Sequence, residues 1–455
     1  MIPLKISEIL DATGVKLISG EVGGMVTDVT TDSRKVVPGM LFAAICGENA
    51  DGHDYIKSAV EKGAECVICE KDVAPCGTII KVENTIAALG KIARAIMRKL
   101  CVPVVGLTGS VGKTTTRDMT YAVVSKMFNT LKNQGNFNNE LGVPLTVFSA
   151  DESVEAAVIE MGMDNFGEID RLSYIVNPTV SIITNIGMSH IERLGSQENI
   201  YKAKSEIFKN TKHSGTVILN GDDKILMAHK DEITQKVITV GVENIDADIV
   251  AKNIEATKSC VSFTACGMGK EIDITLPVPG EHNVLNALLA VATGLVFEIP
   301  GKEIKDALQN FSMTHMRMDI IKCKKVTIIN DCYNAAPASV AAALAVLGKY
   351  DNRKVAVLGD IAALGSYSYK AHYGLGADVV KNGIDLLITI GTHSRHIAES
   401  AYEHGMDGAN IVSVDTVDEA YPVIMSSIRE GDVVLVKASR VMALERVSAF
   451  LKNNF

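Results

Sequence analysis

The stretch Val104-Val105-Gly106-Leu107-Thr108-Gly109-Ser110-Val111-Gly112-Lys113-Thr114-Thr115 decides the fold. An apolar run of strand type ends in glycines and passes into a helical pattern from about Lys113. Glycines let the backbone wrap an anion, and the new helix aims free N–H groups and its positive end at phosphate. The strict phosphate-loop spacing puts a glycine five positions before Gly112, where this chain has Leu107. The glycine falls three positions before instead, at Gly109. The physics survives the shift: Lys113 would reach the β- and γ-phosphates of a nucleotide, and the Thr114 hydroxyl would hold Mg²⁺. An ordinary strand–turn–helix with a surface lysine is the bland alternative. It is disfavoured because strand, glycines, Lys and Thr all stand in register.

Working outward, the apolar run Ala156-Ala157-Val158-Ile159-Glu160 brings a carboxylate to the C-terminal end of a neighbouring strand, the edge at which open α/β sheets bind ligands. A further strand, Val180 to Asn185, leads into Ile186-Gly187-Met188-Ser189-His190 and carries His190 past the same edge. A loop histidine is ordinarily structural or solvated. Beside a phosphate loop and Glu160 it reads as a metal ligand. A helix expected over Glu198 to Asn210 puts Ile200, Ala203, Ile207 and Phe208 on one face and Lys202, Ser205, Glu206 and Lys209 on the other. Lys204 falls inside the apolar stripe. It must be paired, neutral or modified, or it snorkels to solvent.

The 455 residues predict about three domains. The fold class is α/β. Residues 1–98 read as a small mixed α/β unit, with a strand near Leu41 to Ile45 and helices over Asp54 to Lys62 and Asn84 to Leu100, the latter capped by Asn84 and closed by Pro103. Residues 99–313 read as a central phosphate-loop domain with a parallel sheet, an added β-meander over Ala247 to Pro277 and a helix over His282 to Phe297. Residues 314–455 read as a third, Rossmann-like unit with strands at Val326 to Asn330, Val355 to Leu358, Leu386 to Ile390 and Val433 to Val436.

Composition excludes several function classes. A formal net charge of −9 opposes a general nucleic-acid or anionic-membrane surface. With no Trp and 5% aromatics, stacking platforms do not dominate recognition. The nine cysteines form no regular framework, so a reducing, cytoplasmic setting is expected. Cys66-Val67-Ile68-Cys69 reads as a buried strand rather than a zinc knuckle. No apolar run reaches membrane-spanning length. The N-terminal residues Met1 to Glu8 contain no unbroken apolar segment, so no signal peptide is expected.

The chain resembles the ATP-dependent Mur ligases of peptidoglycan synthesis along essentially its whole length. The family's phosphate loop is matched by Thr108 to Thr114, its strand-end Glu by Glu160, its His-x-acid by His190-Ile191-Glu192, and its Ala-Lys-x-x-Ile by Ala203-Lys204-Ser205-Glu206-Ile207. The resemblance implies ATP and Mg²⁺ as cofactors, with catalytic roles for Lys113, Glu160, His190 and Lys204. It implies that Lys204 reacts with CO₂ to give a carbamate, and that Thr114, Glu160, His190 and the carbamate hold metal. ATP would lie against Thr108, Gly109, Ser110, Val111, Gly112, Lys113, Thr114 and Thr115, with Asn283, Asn286, Arg317 and Asp331 completing the site. Thr31 to Gly39 and Asp51-Gly52-His53 resemble the family's UDP-sugar segment, which places Ser33 and Arg34 near the UDP group. Gly135 to Pro144 and Asp331-Cys332-Tyr333-Asn334-Ala335-Ala336-Pro337-Ala338-Ser339 resemble the branch that adds a dipeptide. The implied partners are UDP-N-acetylmuramoyl-tripeptide and D-alanyl-D-alanine, with Tyr333, Asn334 and Ser339 on the acceptor side and a monomer expected. Three places depart from the pattern: Ala336 stands for Asn, Ala363 for Glu, and Met188-Ser189 for a Pro-Ala type pair before His190. A different acceptor, the tripeptide-forming chemistry and a nucleotide-binding regulator without ligation therefore stay open as alternatives.

Overall fold

The computed structural model describes residues 1–47 and 50–455. Three principal sheets follow one another along the chain. The first has five strands in the order Leu17–Ser19, Ile79–Lys81, Cys66–Cys69, Met40–Ala43 and Asp28–Thr30, all parallel except the first pair. Cys66–Cys69 is buried at every residue, as expected of a strand covered on both faces.

The second sheet has nine strands, and the phosphate-loop strand Val104–Thr108 lies between Val180–Ile183 and Ala156–Glu160. Parallel pairing runs from Thr130–Lys132 to Ile249–Ala256. Val261–Gly267 and Lys270–Leu276 then continue the same sheet antiparallel. The expected meander is thus an extension of the parallel sheet and no separate layer. Strands Thr130–Lys132 and Lys236–Gly241 are missing from the sequence reading. Both are partly exposed, and neither carries a full buried run. The third sheet orders Asp319–Lys322, Thr327–Asn330, Val433–Lys437, Lys354–Gly359, Leu386–Ile390 and Ile411–Val414, with only the first pair antiparallel. Its two outer strands escaped the sequence reading because neither has a fully buried face.

Helix Thr85–Leu100 joins the first two sheets. Asn84 Oδ1 accepts the Ala87 N–H (2.8 Å) and starts it. Cys101, left-handed at φ 52°, ends it two residues before the expected Pro103 stop. The helix packs against Gly142–Phe148 and Glu168–Val176 of the central unit. At Gly90 the approach is close enough that a Cβ would lie 3.2 Å from Ile175 Cδ1. On the other face of the central sheet, helix His282–Val296 packs on the phosphate-loop helix Lys113–Val124. Among the described residues no helix is long and apolar enough to cross a membrane.

The helix expected over Glu198 to Asn210 is broken. It forms as Gln197–Ser205 and Ile207–Asn210, with Glu206 between. Glu206, expected on the solvated face, is buried. Its carboxylate accepts the N–H groups of Gly167 (2.8 and 3.0 Å) and Asp170 (3.2 Å), at the start of helix Glu168–Val176. That interaction satisfies first-turn amides and suits the helix's positive end.

Burial pushes the Cys66 thiol up to about 12 and the Cys332 thiol up to about 11. Thiolate is the reactive form. In the native protein at pH 8, a thiol reagent should therefore modify the exposed Cys46 and Cys101 first. Cys66, Cys69 and Cys332 should react only after denaturation. Mass mapping of labelled peptides checks this, and rapid native labelling of Cys66 would contradict the buried strand.

Candidate functional site: a phosphate loop facing a buried carboxylate

The loop leaves strand Val104–Thr108 through Gly109 and enters helix Lys113–Val124 through Gly112, which is left-handed at φ 84°. Both glycines are demanded by close approach. A Cβ at Gly109 would lie 1.9 Å from Thr184 Oγ1, and one at Gly112 would lie 2.5 Å from Asn286 Oδ1. The strand Val180–Ile183 continues into residues that hold the loop from one side. Asn185 Oδ1 accepts the Val111 N–H (2.9 Å) while its amide donates to the Val111 carbonyl (2.9 Å). Thr184 Oγ1 donates to that carbonyl too (2.6 Å). The loop is thus built in advance, and the first-turn amides of the helix have no intrahelical acceptor.

Two amines meet one carbonyl at the start of the loop. Lys113 Nζ donates to Gly109 O (2.7 Å) and to Ser110 O (3.4 Å). Lys204 Nζ donates to the same Gly109 O (2.9 Å). Lys204 is only 1% exposed, so it does not snorkel. Burial and the neighbouring Lys113 ammonium push the Lys204 amine well below the usual lysine range. Lys113 is also pushed down, chiefly by burial, with Glu160 opposing the shift.

The counterweight is Glu160, buried at its strand end. Its Oε2 accepts from the Thr114 hydroxyl (2.9 Å) and from Arg117 Nη1 (3.2 Å), and its Oε1 from Asn138 Nδ2 (2.9 Å). Asn133 pairs with the Glu160 backbone in both directions, at 2.9 and 3.0 Å. Arg317, arriving from the third unit, donates from Nη2 to the Thr114 hydroxyl (2.9 Å) and lies 4.3 Å over the Tyr333 ring. Its buried Nε and the buried Thr108 hydroxyl have no partner among the described residues. A free guanidinium N–H beside open first-turn amides fits an oxyanion ligand. Thr114 and Glu160 supply hard oxygen donors, the type Mg²⁺ takes alongside phosphate oxygens. Among the described residues no cluster of three or more His, Cys, Asp or Glu forms a self-sufficient metal cage.

His190 stands at the same edge in the left-handed region, φ 65°. Asp164 Oδ1 lies 2.8 Å from its Nδ1 and orients the ring. Burial, with Lys113 and Lys204 adding to it, pushes the imidazole down to about 4, Asp164 opposing. A neutral ring is the form that can ligate a metal.

The remaining expected residues fall in three places. Asn283 and Asn286 are buried behind the loop. Asn286 Nδ2 donates to Asn283 Oδ1 (3.1 Å), Asn286 Oδ1 accepts from the Thr116 hydroxyl (3.1 Å), and Asn283 Nδ2 donates to Pro279 O (2.7 Å). Asp331 ends strand Thr327–Asn330, where its Oδ2 pairs with the buried Lys437 ammonium (2.5 Å). Asn334 and Ser339 are engaged locally. Asn334 Oδ1 accepts the Ala335 N–H (2.9 Å), and Ser339 Oγ accepts the Ala336 N–H (3.0 Å) at the start of helix Pro337–Gly348. Ser33 and Arg34 lie on the first unit, where the Ser33 carbonyl accepts from Lys62 Nζ (2.9 Å). Arg34 is exposed and forks onto Asp32 with two 2.9 Å bonds. Ala363 is left-handed at φ 59°, and its carbonyl accepts the Glu192 N–H (3.3 Å), joining the third unit to the segment after His190.

Sequence reading missed Arg117, Asp118, Asn138 and Lys437. Two signals were present. Arg117 lies four residues after Lys113, and so on the same side of the helix that carries the loop lysine. Lys437 ends an apolar strand as Glu160 does.

Comparison with known proteins places this site in context. Residues 107–294 match the Mur ligase middle domain, residues 316–440 the Mur ligase glutamate ligase domain, and residues 25–96 the Mur ligase family catalytic domain. The chain is 36% identical, over 92% of each chain, to UDP-N-acetylmuramoyl-tripeptide–D-alanyl-D-alanine ligase of Bacillus subtilis strain 168. A crystal structure of MurF from Acinetobacter baumannii superposes with a TM-score of 0.91 at 30% identity, covering 99% of each chain. The MurF ligase of Thermotoga maritima in complex with ADP gives 0.84 at 26% identity, covering 94% of this chain and 97% of that one.

Arg117 is 2% exposed and is the guanidinium shared by Glu160 and Asp118. Arg117→Met should cost about 3–5 kcal/mol, because both carboxylates would be left buried without it. Arg117→Lys should cost less. Urea unfolding followed by circular dichroism checks the order, and an Arg117→Met protein as stable as wild type would contradict it.

Proposed function

The chain belongs to the Mur ligase family, and on that premise we propose that it is the ligase that joins D-alanyl-D-alanine to UDP-N-acetylmuramoyl-tripeptide at the expense of ATP. The observation that carries the reading is the phosphate loop with Glu160, Lys204 and Arg317 gathered at one sheet edge. A nucleotide-binding regulator would need the loop alone.

In the proposed reaction the tripeptide carboxylate attacks the γ-phosphorus of ATP, forming an acyl phosphate and releasing ADP. The dipeptide amine then attacks the acyl carbon, and phosphate leaves. Lys113 and the open first-turn amides would bind the β- and γ-phosphates and stabilise the charge developing on them. Arg317, brought by the third unit, would turn its unpartnered N–H to the same oxygens. Thr114 and Glu160 would hold Mg²⁺, with His190 and a modified Lys204 at a second position. When bound, the metal neutralises phosphate charge and leaves the transferring group electrophilic.

Lys204 supports a carbamate reading. Its amine is buried, held low and set 2.9 Å from the carbonyl that Lys113 also uses. A neutral amine nitrogen attacks the carbon of CO₂, and one N–H proton leaves to solvent. The product is an anion where two ammonium groups would otherwise repel. The division of labour follows the domains: residues 1–98 for the UDP-sugar, with Ser33 and Arg34 nearby, 99–313 for ATP, and 314–455 for the dipeptide, with Tyr333, Asn334 and Ser339 on its side. Arg34 and Lys113 give the anionic substrates local positive charge in a chain whose total is −9. A monomer working in the cytoplasm completes the reading.

A coupled phosphate-release assay tests it. Release should require ATP, Mg²⁺, the UDP-linked tripeptide and D-alanyl-D-alanine together. A series of amine acceptors, including a depsipeptide, reads out what Ala336 and Ala363 do to acceptor choice. Release that ignores the acceptor would count against ligation. Lys204→Ala should lose at least about tenfold in rate and regain part of it with added short carboxylates; full activity without rescue would remove the carbamate from the mechanism.

A further inference from the structure

Among the side-chain contacts between the central and third units, one stands beside the phosphate-loop helix at residues given no role above. Thr314 Oγ1 donates to Asp118 Oδ2 (2.5 Å) across 196 residues of sequence. Asp118 sits one helical turn after Thr114 on the phosphate-loop helix, and Thr314 sits three residues before Arg317. Positions four apart share a helix face. The segment from Thr314 to Arg317 therefore lies along that helix and touches it twice, at Asp118 and at Thr114.

The two carboxylate oxygens of Asp118 are used differently. Oδ1 takes Arg117 Nε (3.0 Å), Arg117 Nη2 (2.9 Å) and Lys132 Nζ (2.9 Å). Among the described residues, Thr314 is the side-chain donor to Oδ2. Asp118 is thus anchored by two cations on one oxygen and presents the other to the third unit. The contacts close a ring. Glu160 Oε2 holds Arg117, Arg117 holds Asp118, Asp118 holds Thr314, three residues of backbone lead to Arg317, and Arg317 reaches Thr114, whose hydroxyl returns to Glu160 Oε2. The backbone in this segment is committed to its path. Met316 and Met318 flank Arg317 in the left-handed region at φ 61° and 49°, unusual for side chains of that size.

We propose that the Asp118–Thr314 hydrogen bond is a positioning latch, which registers the third domain on the phosphate-loop helix and thereby aims Arg317 at the nucleotide site. Neither residue touches the reacting atoms. The inference rests on the ligase reading only for its assay. It distinguishes a latch from a mere counterion role for Asp118, because removing the Thr314 hydroxyl leaves the Arg117 and Lys132 pairs intact.

The experiment is steady-state ligation by wild type, Thr314→Val and Thr314→Ser, with unfolding midpoints measured in parallel. Thr314→Val keeps the shape and removes the donor. It should lose about tenfold in kcat, since a misplacement of ~1 Å costs up to about 100-fold. Thr314→Ser should restore kcat. A Thr314→Val enzyme with kcat within twofold of an active wild type overturns the latch and leaves the ligase reading standing. A loss that Thr314→Ser fails to restore overturns it equally. A wild type that makes no amide bond counts against the ligase reading itself. In that case the latch is judged by whether Thr314→Val alters the closure of the third domain seen by small-angle scattering with an ATP analogue. An unaltered profile overturns it.

Discussion

The site depends on one buried carboxylate and the basic side chains that converge on it. Glu160 is buried, and Lys113, Arg117, Arg317 and Lys204 stand around it or around the loop it faces. So many basic groups gathered in an interior of low dielectric would be costly if left uncompensated. The structure meets the cost in several ways. Asp118 takes up Arg117, the Tyr333 ring lies under Arg317, and the Gly109 carbonyl accepts from both lysines. An excess of positive charge remains, which is what a site for triphosphate and a carboxylate substrate requires. A chain of net charge −9 can bind such anions because its positive groups are concentrated at one sheet edge.

Much of this was legible in the amino-acid order, for definite reasons. Gly109 and Gly112 could be read because only glycine tolerates the approaches that Thr184 and Asn286 make. Lys204 could be read because a charge in an apolar helical stripe is conspicuous, and its 1% exposure agrees with that face. Glu160 announced itself by ending a continuous apolar strand.

The rest depended on long-range pairing. Glu206 was placed on the wrong face because the helix breaks there to cap another helix, an interaction invisible within its own segment. Arg117 looks like an ordinary surface charge until Glu160 and Asp118, brought by other parts of the fold, surround it. The edge strands Ile411–Val414 and Asp319–Lys322 lack a fully buried face and so lack the pattern that identifies strands. The expected acceptor residues were the least legible, since Asn334 and Ser339 spend polar atoms on their own backbone.

The two junctions between domains are built differently. At the first, helix Thr85–Leu100 packs on the central unit, with Gly90 against Ile175 and the Arg94 guanidinium 3.5 Å over the Tyr174 ring. At the second, polar contacts are spread along the seam: Arg317 to Thr114, Thr314 to Asp118, Lys349 to Glu281, Glu192 to Ala363, and Tyr367 to Gly195, beside an apolar cluster that runs on from the central unit into the third. Seams rich in polar contacts are where domains of one chain move most readily. At this second seam the third unit is held partly by charged and hydroxyl groups whose hydrogen bonds water can also satisfy.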